Sequence, residues 1–167
     1  MLKIITYPNK MLEEVVPEFD FANPIMDPKE LEKQMIEAMF DKDAIGLAAT
    51  QVGIKTRAFI MGHRSMPEQT YAYFNPEVID ADTNLLDVEE GCLSFPLIFV
   101  KIKRPTWIVG KYFDSDGVEH QERFEGYNCK CFLHELDHLN GINFKDRVSA
   151  LKWSLAIKKS KKVRNYA

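Results

Sequence analysis

The sequence predicts an α+β fold in a single domain, residues 1–167, and three stretches carry that reading. An apolar stripe of helical period runs from Asp27 to about Asp41. A strand–turn–strand signal spans Thr106 to Glu125 across Asp114-Ser115-Asp116-Gly117. A second helical stretch, Tyr127 to Leu139, follows directly and has Gly141 as its stop. Helices set beside antiparallel hairpins, without a regular strand–helix alternation, argue for α+β.

Bulk properties narrow the function classes. With 46% hydrophobic and 28% charged residues, the chain has the composition of a soluble globular protein large enough for a sizeable core. No apolar run approaches the ~20 residues of a membrane span. The opening MLKIITYPNK has neither a signal-peptide core nor Arg-rich transit character. Three cysteines do not make a disulfide framework, so a reducing cytosol is expected. The net charge of −3 is unevenly spread: residues 145–167 hold eight basic residues and one acidic one, +7, which leaves −10 for the rest. A basic tail on an acidic body suits a polyanionic partner, or equally a solvated helix end whose lysines favour its dipole.

Taken in order, residues 1–26 read as an irregular arm with one or two short extended pieces and turn signals at Tyr7-Pro8-Asn9 and Val16-Pro17. The first helix has Asp27 as N-cap, Pro28 at its first position and Glu30 completing an acidic capping box. Leu31, Met35, Ala38 and Met39 form its core stripe. Ala44 to Gly53 is small and apolar, too poor in glycine for a phosphate loop. On residue type alone, its Gln51 reads as an exposed strand-end residue. Ala58 to Met61 is expected as a buried strand, His63 to Gln69 as an exposed loop with a solvated His63, and Tyr71 to Asp80 as a strand interrupted at Asn75-Pro76. His120 is expected to be exposed on the second strand of the hairpin. A last helix starts near Ser149 and is expected to pack through Leu151, Leu155 and Ile157.

The chemistry concentrates in His134-Glu135-Leu136-Asp137-His138, an H-E-x-x-H pattern. At about 100° per helical residue, positions four apart point the same way, so His134 and His138 can share one divalent metal. Glu135 lies beside that point, where it can take a proton from water without replacing a ligand. A catalytic site of this kind needs a third protein ligand and one open position. Position 144, where some metalloproteases place a third His, is Phe, and no Glu follows Glu135, so the third ligand is sought upstream. Cys92 is the leading choice, beside Gly91 at the lip of a strand. Cys129 and Cys131 compete. Cys131, His134 and His138 would form a structural site, but all three would sit on one helical stripe, which is awkward for a tetrahedral shell.

These residues resemble those of the peptide deformylase family. Ile45 to Gln51 is similar to its first motif, Gly-x-Gly-x-Ala-Ala-x-Gln; Glu90 to Ser94 carries its second, Glu-Gly-Cys-Leu-Ser, complete; and His134 to His138 its third. Two positions depart: Ala44 stands where the family opens with Gly, and Leu133 where Gln is usual before the first His. The resemblance covers nearly the whole chain. It implies antiparallel sheets around a central metal-binding helix, with an N-terminal helix and a short C-terminal one, the latter within a basic tail at about 149–167. It also implies hydrolysis of the formyl group from N-formyl-methionyl nascent peptides, releasing formate. Cys92, His134 and His138 would hold the metal, ferrous iron in the native enzyme, with Zn2+, Ni2+ or Co2+ able to substitute. Glu135 would be the base, and the Gln51 amide and the Leu93 N–H the oxyanion donors. Ala44, Ile45, Gly46, Glu90 and Gly91 would bind substrate, while Asp137, paired with Arg104, would orient the ligands. A monomer without membrane contact is expected, in a bacterial-type cytosol or a phage-encoded or organellar equivalent, with the basic tail docking on ribosomes. Two further readings stay open: a divergent metal-dependent amidase or peptidase with another acyl substrate, and a metal-stabilised module binding nucleic acid through the tail.

Overall fold

The computed structural model describes residues 2–166, so Met1 of the expected arm and Ala167 of the expected tail lie outside it. In chain order the elements are α1 (Pro28–Asp41), β1 (Gly46–Ala48), β2 (Ala58–His63), β3 (Met66–Ala81), β4 (Leu85–Cys92), β5 (Phe95–Pro105), β6 (Trp107–Phe113), β7 (Glu119–Glu125), α2 (Gly126–Leu139) and α3 (Ala150–Tyr166). Single 3-10 turns occupy Lys10–Glu13, Ala49–Val52 and Phe144–Arg147.

Strands β1-β2-β3-β6-β7, in that order and antiparallel, form one sheet, and β4-β5 form a separate two-stranded ribbon. Both faces of the larger sheet are covered, which is why Ala58 to Met61 is apolar without alternation. Phe59 and Met61 face α2 and join Phe132, Tyr73 and Phe124. Ala58 and Ile60 face α1 and join Leu31, Met35 and Met39. A third cluster packs Phe95, Ile98, Val100 and Ile102 of β5 against Phe144 and the inner face of α3. Helix α2 therefore lies between the sheet and the ribbon, the central position that the resemblance implies.

Local chemistry explains the ends of the helices. The Asp27 carboxylate accepts the N–H groups of Lys29 and Glu30 at the start of α1. The reciprocal half of the expected capping box is not made, because Glu30 instead accepts from Gln34. Past α2, Gly141 takes φ +68°, and a Cβ there would run into the Glu13 carbonyl.

The expected interruption of β3 at Asn75-Pro76 is a bulge, whose Asn75 side chain both accepts from Phe19 N–H and donates to Phe19 O, clamping the arm. Three expectations need correction. His63 to Gln69 is no loop: β2 and β3 continue through it around a turn at Arg64-Ser65, with His63 paired to Met66. The C-terminal helix is not short, at 17 residues against 14 for α1 and for α2. Leu151 and Leu155 do not pack it; they face solvent, and Trp153, Ala156 and Ile157 make the contact. The β4–β5 ribbon had no full counterpart among the expected strands.

Candidate active site

Cys92, at the end of β4, meets His134 and His138 of α2, and their ligating atoms lie within 4.8 Å of one another. Cys92 Sγ is 3.3 Å from His138 Nε2. His134 Nδ1 lies 2.8 Å from Glu90 Oε2. A carboxylate only accepts, so Nδ1 carries the hydrogen and Nε2 keeps its lone pair for a ligand. One sulfur and two imidazoles thus converge, the donor set of a three-ligand hydrolytic centre. Two buried polar atoms beside them have no partner, Glu135 Oε2 and His138 Nδ1. The residues present therefore fit a divalent metal. No other group of His, Cys, Asp or Glu among the described residues converges in this way.

Glu135 is 4% exposed. Burial is the main influence on its carboxyl and, against the pull of His134, pushes it up to about 7. Gly46 lies against it: a Cβ at that position would strike Glu135 Oε1 and Cys131 Sγ. Cys131 itself donates to the Ile45 carbonyl and Cys129 to that of Pro105, so neither joins the ligand cluster. The structural-site alternative built on Cys131 is thereby corrected, and with it the nucleic-acid module it supported.

Gln51 is buried, contrary to the exposed strand-end reading. Its Oε1 accepts the Ala48 N–H at 2.9 Å, which turns Nε2 toward Ser94 Oγ at 3.1 Å and Cys92 Sγ at 3.4 Å. Leu93 sits in the turn that links β4 to β5, directly after Cys92. The expected arm braces this region from behind, with Ile5 N–H donating to Gln51 O and Tyr7 N–H to Ser94 O.

Behind the ligands runs a chain of charges. Arg104 donates to both oxygens of Glu90, at 2.8 and 3.1 Å, and to Asp137 at 2.9 Å. Arg147 then grips Asp137 through two nitrogens, at 3.0 and 2.5 Å. Glu90 is 1% exposed. Burial alone would raise its carboxyl, but the hydrogen bond from His134 and the pairing with Arg104 outweigh it and hold it down at about 2. Glu90 borders the cavity, with its carboxylate engaged by Arg104 and His134. Arg147 and Ser94 went unassigned from sequence. Ser94 lay within the Glu-Gly-Cys-Leu-Ser stretch and could have been found there; nothing in the sequence singled out Arg147.

The cluster opens on a cavity of about 700 Å³, lined by Ala44, Ile45, Gly46, Gln51, Gly91, Cys92, Leu93, Cys131 and Glu135 among others. The polypeptide deformylase family model matches residues 1–153. The chain belongs to the polypeptide deformylase family. Members of this family are metal-dependent hydrolases that remove the N-formyl group from nascent peptides, and the chain is one of them. It is 40% identical over 163 residues to the peptide deformylase of Maricaulis maris, covering 96% of this chain and 92% of that one. The peptide deformylase crystal structure from Thermotoga maritima superposes with a TM-score of 0.82 at 38% identity, over 89% of this chain and 98% of its own. That from Legionella pneumophila gives 0.89 at 28% identity, over 99% and 96%. The deformylase fold is shared, and the reading as a divergent amidase finds no support.

Proposed function

We propose that this deformylase hydrolyses the formamide of N-formyl-methionyl peptides with Glu135 as the base, Gln51 and Leu93 as oxyanion donors, and Cys92, His134 and His138 as metal ligands. The supporting observation is the convergence of one sulfur and two imidazoles beside the unpartnered oxygen of a buried Glu135. When bound, a divalent cation supplies Lewis acidity there, polarising a carbonyl and lowering the pKa of water.

Glu135 takes the proton as the water oxygen bonds to the formyl carbon. It returns that proton to the nitrogen as the C–N bond breaks, giving formate and a free α-amine. A carboxyl whose proton affinity burial raises can serve both transfers. Gln51 Nε2, fixed through its other amide atom, and the Leu93 N–H donate to the developing oxyanion. Glu90 holds the tautomer and direction of His134, and Asp137 anchors Arg104 behind it. The peptide lies as an added strand, with Ala44, Ile45 and Gly46 along one side and Gly91 along the other. The methionine side chain enters the apolar cavity against Ile45 and Leu93.

Ferrous iron is the ion proposed, and zinc, nickel or cobalt would suit the same donors. A monomer is proposed. Three unpaired thiols support a reducing, cytosolic setting, and no helix among the described residues is long and apolar enough to cross a membrane. The basic outer face of α3 is proposed to hold the enzyme near ribosomal RNA phosphate. The direct test is formate release from formyl-Met-Ala-Ser together with metal analysis. Cys92→Ser should lose metal and activity while Cys129→Ser retains both. Equal metal affinity in the two variants would remove Cys92 from the ligand set, and absence of formate from metal-loaded protein would overturn the function.

A further inference from the structure

Among the described residues, four side chains keep a buried polar atom without a hydrogen-bond partner: Thr50, Glu135, His138 and Asn143. The reaction accounts for the free oxygen of Glu135. It does not account for the other three, and their chemistry is complementary. The two imidazoles of the site are held unequally. Glu90 takes the Nδ1–H of His134. His138 turns Nε2 toward Cys92 Sγ at 3.3 Å, so its hydrogen belongs on Nδ1, where no acceptor meets it. A ligating imidazole takes its direction from the partner of its second nitrogen, and His138 has none comparable to Glu90.

Asn143 is fully buried, and both atoms of its amide are unpartnered. Its place follows from the way the chain doubles back at the end of α2. Gly141 N–H donates to His138 O at 3.2 Å, and Ile142 N–H to Asp137 O at 2.9 Å. Phe144 then sets its ring 6.0 Å from that of His134, and Arg147 grips Asp137. Residue 143 is thus enclosed between two points fixed on the last turns of α2. The local turn does not use its amide, because the backbone N–H and carbonyl of Asn143 are the groups that pair with Asp146. An amide kept in such a place costs free energy unless it is hydrogen-bonded. Thr50 is equally buried, in the 3-10 turn that packs on α2. It directly precedes Gln51, whose Nε2 reaches Cys92 Sγ.

An amide accepts at one atom and donates at the other, so it can serve an imidazole N–H and a hydroxyl at once. We propose that Asn143 is the positioning residue of His138: its Oδ1 takes the Nδ1–H and its Nδ2 donates to Thr50 Oγ1, each directly or through one buried water. His138 then has in Asn143 what His134 has in Glu90. The inference rests on the reading of Cys92, His134 and His138 as metal ligands and adds the group that aims the last of them.

The test uses the full-length, zinc-loaded protein and reads the imidazole N–H resonances by NMR together with zinc affinity. In the parent, the Nδ1–H protons of His134 and His138 should both lie downfield, as hydrogen-bonded protons do. Asn143→Leu, which nearly keeps the volume, should move the His138 proton upfield and leave that of His134 in place. It should also weaken zinc binding by about 10- to 100-fold, the usual cost of losing the partner of a ligating imidazole. Asn143→Asp, which keeps the acceptor, should hold the His138 proton downfield. Thr50→Val should move the same proton by less and weaken zinc binding less than about tenfold. A His138 proton unmoved in Asn143→Leu would overturn the proposal, and so would equal movement of both protons, which marks a general loss of packing. Should Asn143→Leu not fold, the same two outcomes read in Thr50→Val decide the matter. A parent that binds no zinc, or zinc binding that survives Cys92→Ser, would instead overturn the ligand set itself.

Discussion

Helix α2 buries eight of its fourteen residues, among them two imidazoles and two carboxylates: His134, His138, Glu135 and Asp137. Helix α3, three residues longer, buries only Ser160 among its described side chains and carries most of the basic tail on its outer face. A buried ionisable group needs a partner, so each of those on α2 is tied to another segment or poised at the metal site. The charges on α3 are hydrated and bind nothing tightly. The difference separates residues that shape the reaction from residues that can only steer where the enzyme goes.

Substitution at the centre of α2 should have the largest effect. Glu135→Gln leaves all three ligands in place and should lower kcat by about 10³–10⁴-fold, the upper range for loss of a general acid–base group. Turnover measured at equal metal content checks this, and a loss under tenfold would place the base elsewhere. Gln51→Ala, one element away, should cost about 10²–10³ in kcat with a smaller change in KM. An effect confined to KM would make Gln51 a binding residue.

The charge chain behind α2 predicts an acid-side dependence. Glu90 is lowered from 4.5 to about 2 in the folded protein, so it adds stability that is complete above about pH 4.5 and is lost as the pH falls toward 2. A shift of that size is worth about 3 kcal/mol. Denaturant unfolding across that window should show a steep acid limb in the parent and a shallower one in Glu90→Gln. Equal slopes would mean that Glu90 retains an ordinary pKa in the fold.

The smallest effect should come from α3. Removing residues 158–167 keeps Trp153, Ala156 and Ile157, which pack against the ribbon. Hydrolysis of a free formyl-tripeptide should change less than twofold, as expected when no catalytic group is touched. Co-sedimentation with ribosomes at low salt should fall, and the loss should shrink as salt rises. Unaltered binding at every salt concentration would leave the lysines with a solubilising role alone.

The sequence revealed α2 and its proposed ligands more clearly than the ribbon that completes the candidate site. His134, Glu135 and His138 are readable because helical spacing fixes their mutual direction before any tertiary contact forms. The β6–β7 hairpin announces itself through its Asp-Ser-Asp-Gly loop. The ribbon conceals its period. Ile98, Val100 and Ile102 alternate correctly on β5, but the next inward position is Arg104, and the buried position of β4 is Glu90. Two charges where apolar residues belong break the alternation that marks a strand. These are the charges that orient His134, so the stretch is obscured by the function it serves. The burial of Gln51 was equally hidden, since it depends on an arm and a turn that meet only in three dimensions.

Gln51 meets Cys92 across 41 residues of sequence, and Cys92 meets His138 across 46. Closing such loops carries an entropy cost before any contact rewards it, which places the assembled site late in folding. A nascent chain of this protein that has exposed Cys92 but not yet helix α2 holds one of the three proposed ligands together with the turn that carries Gln51. An ion that binds the closed triad and not the open chain draws the folding equilibrium toward the native state by mass action. Ion binding and folding are then coupled, and removing the ion with a chelator is expected to lower the stability of this enzyme as well as its activity.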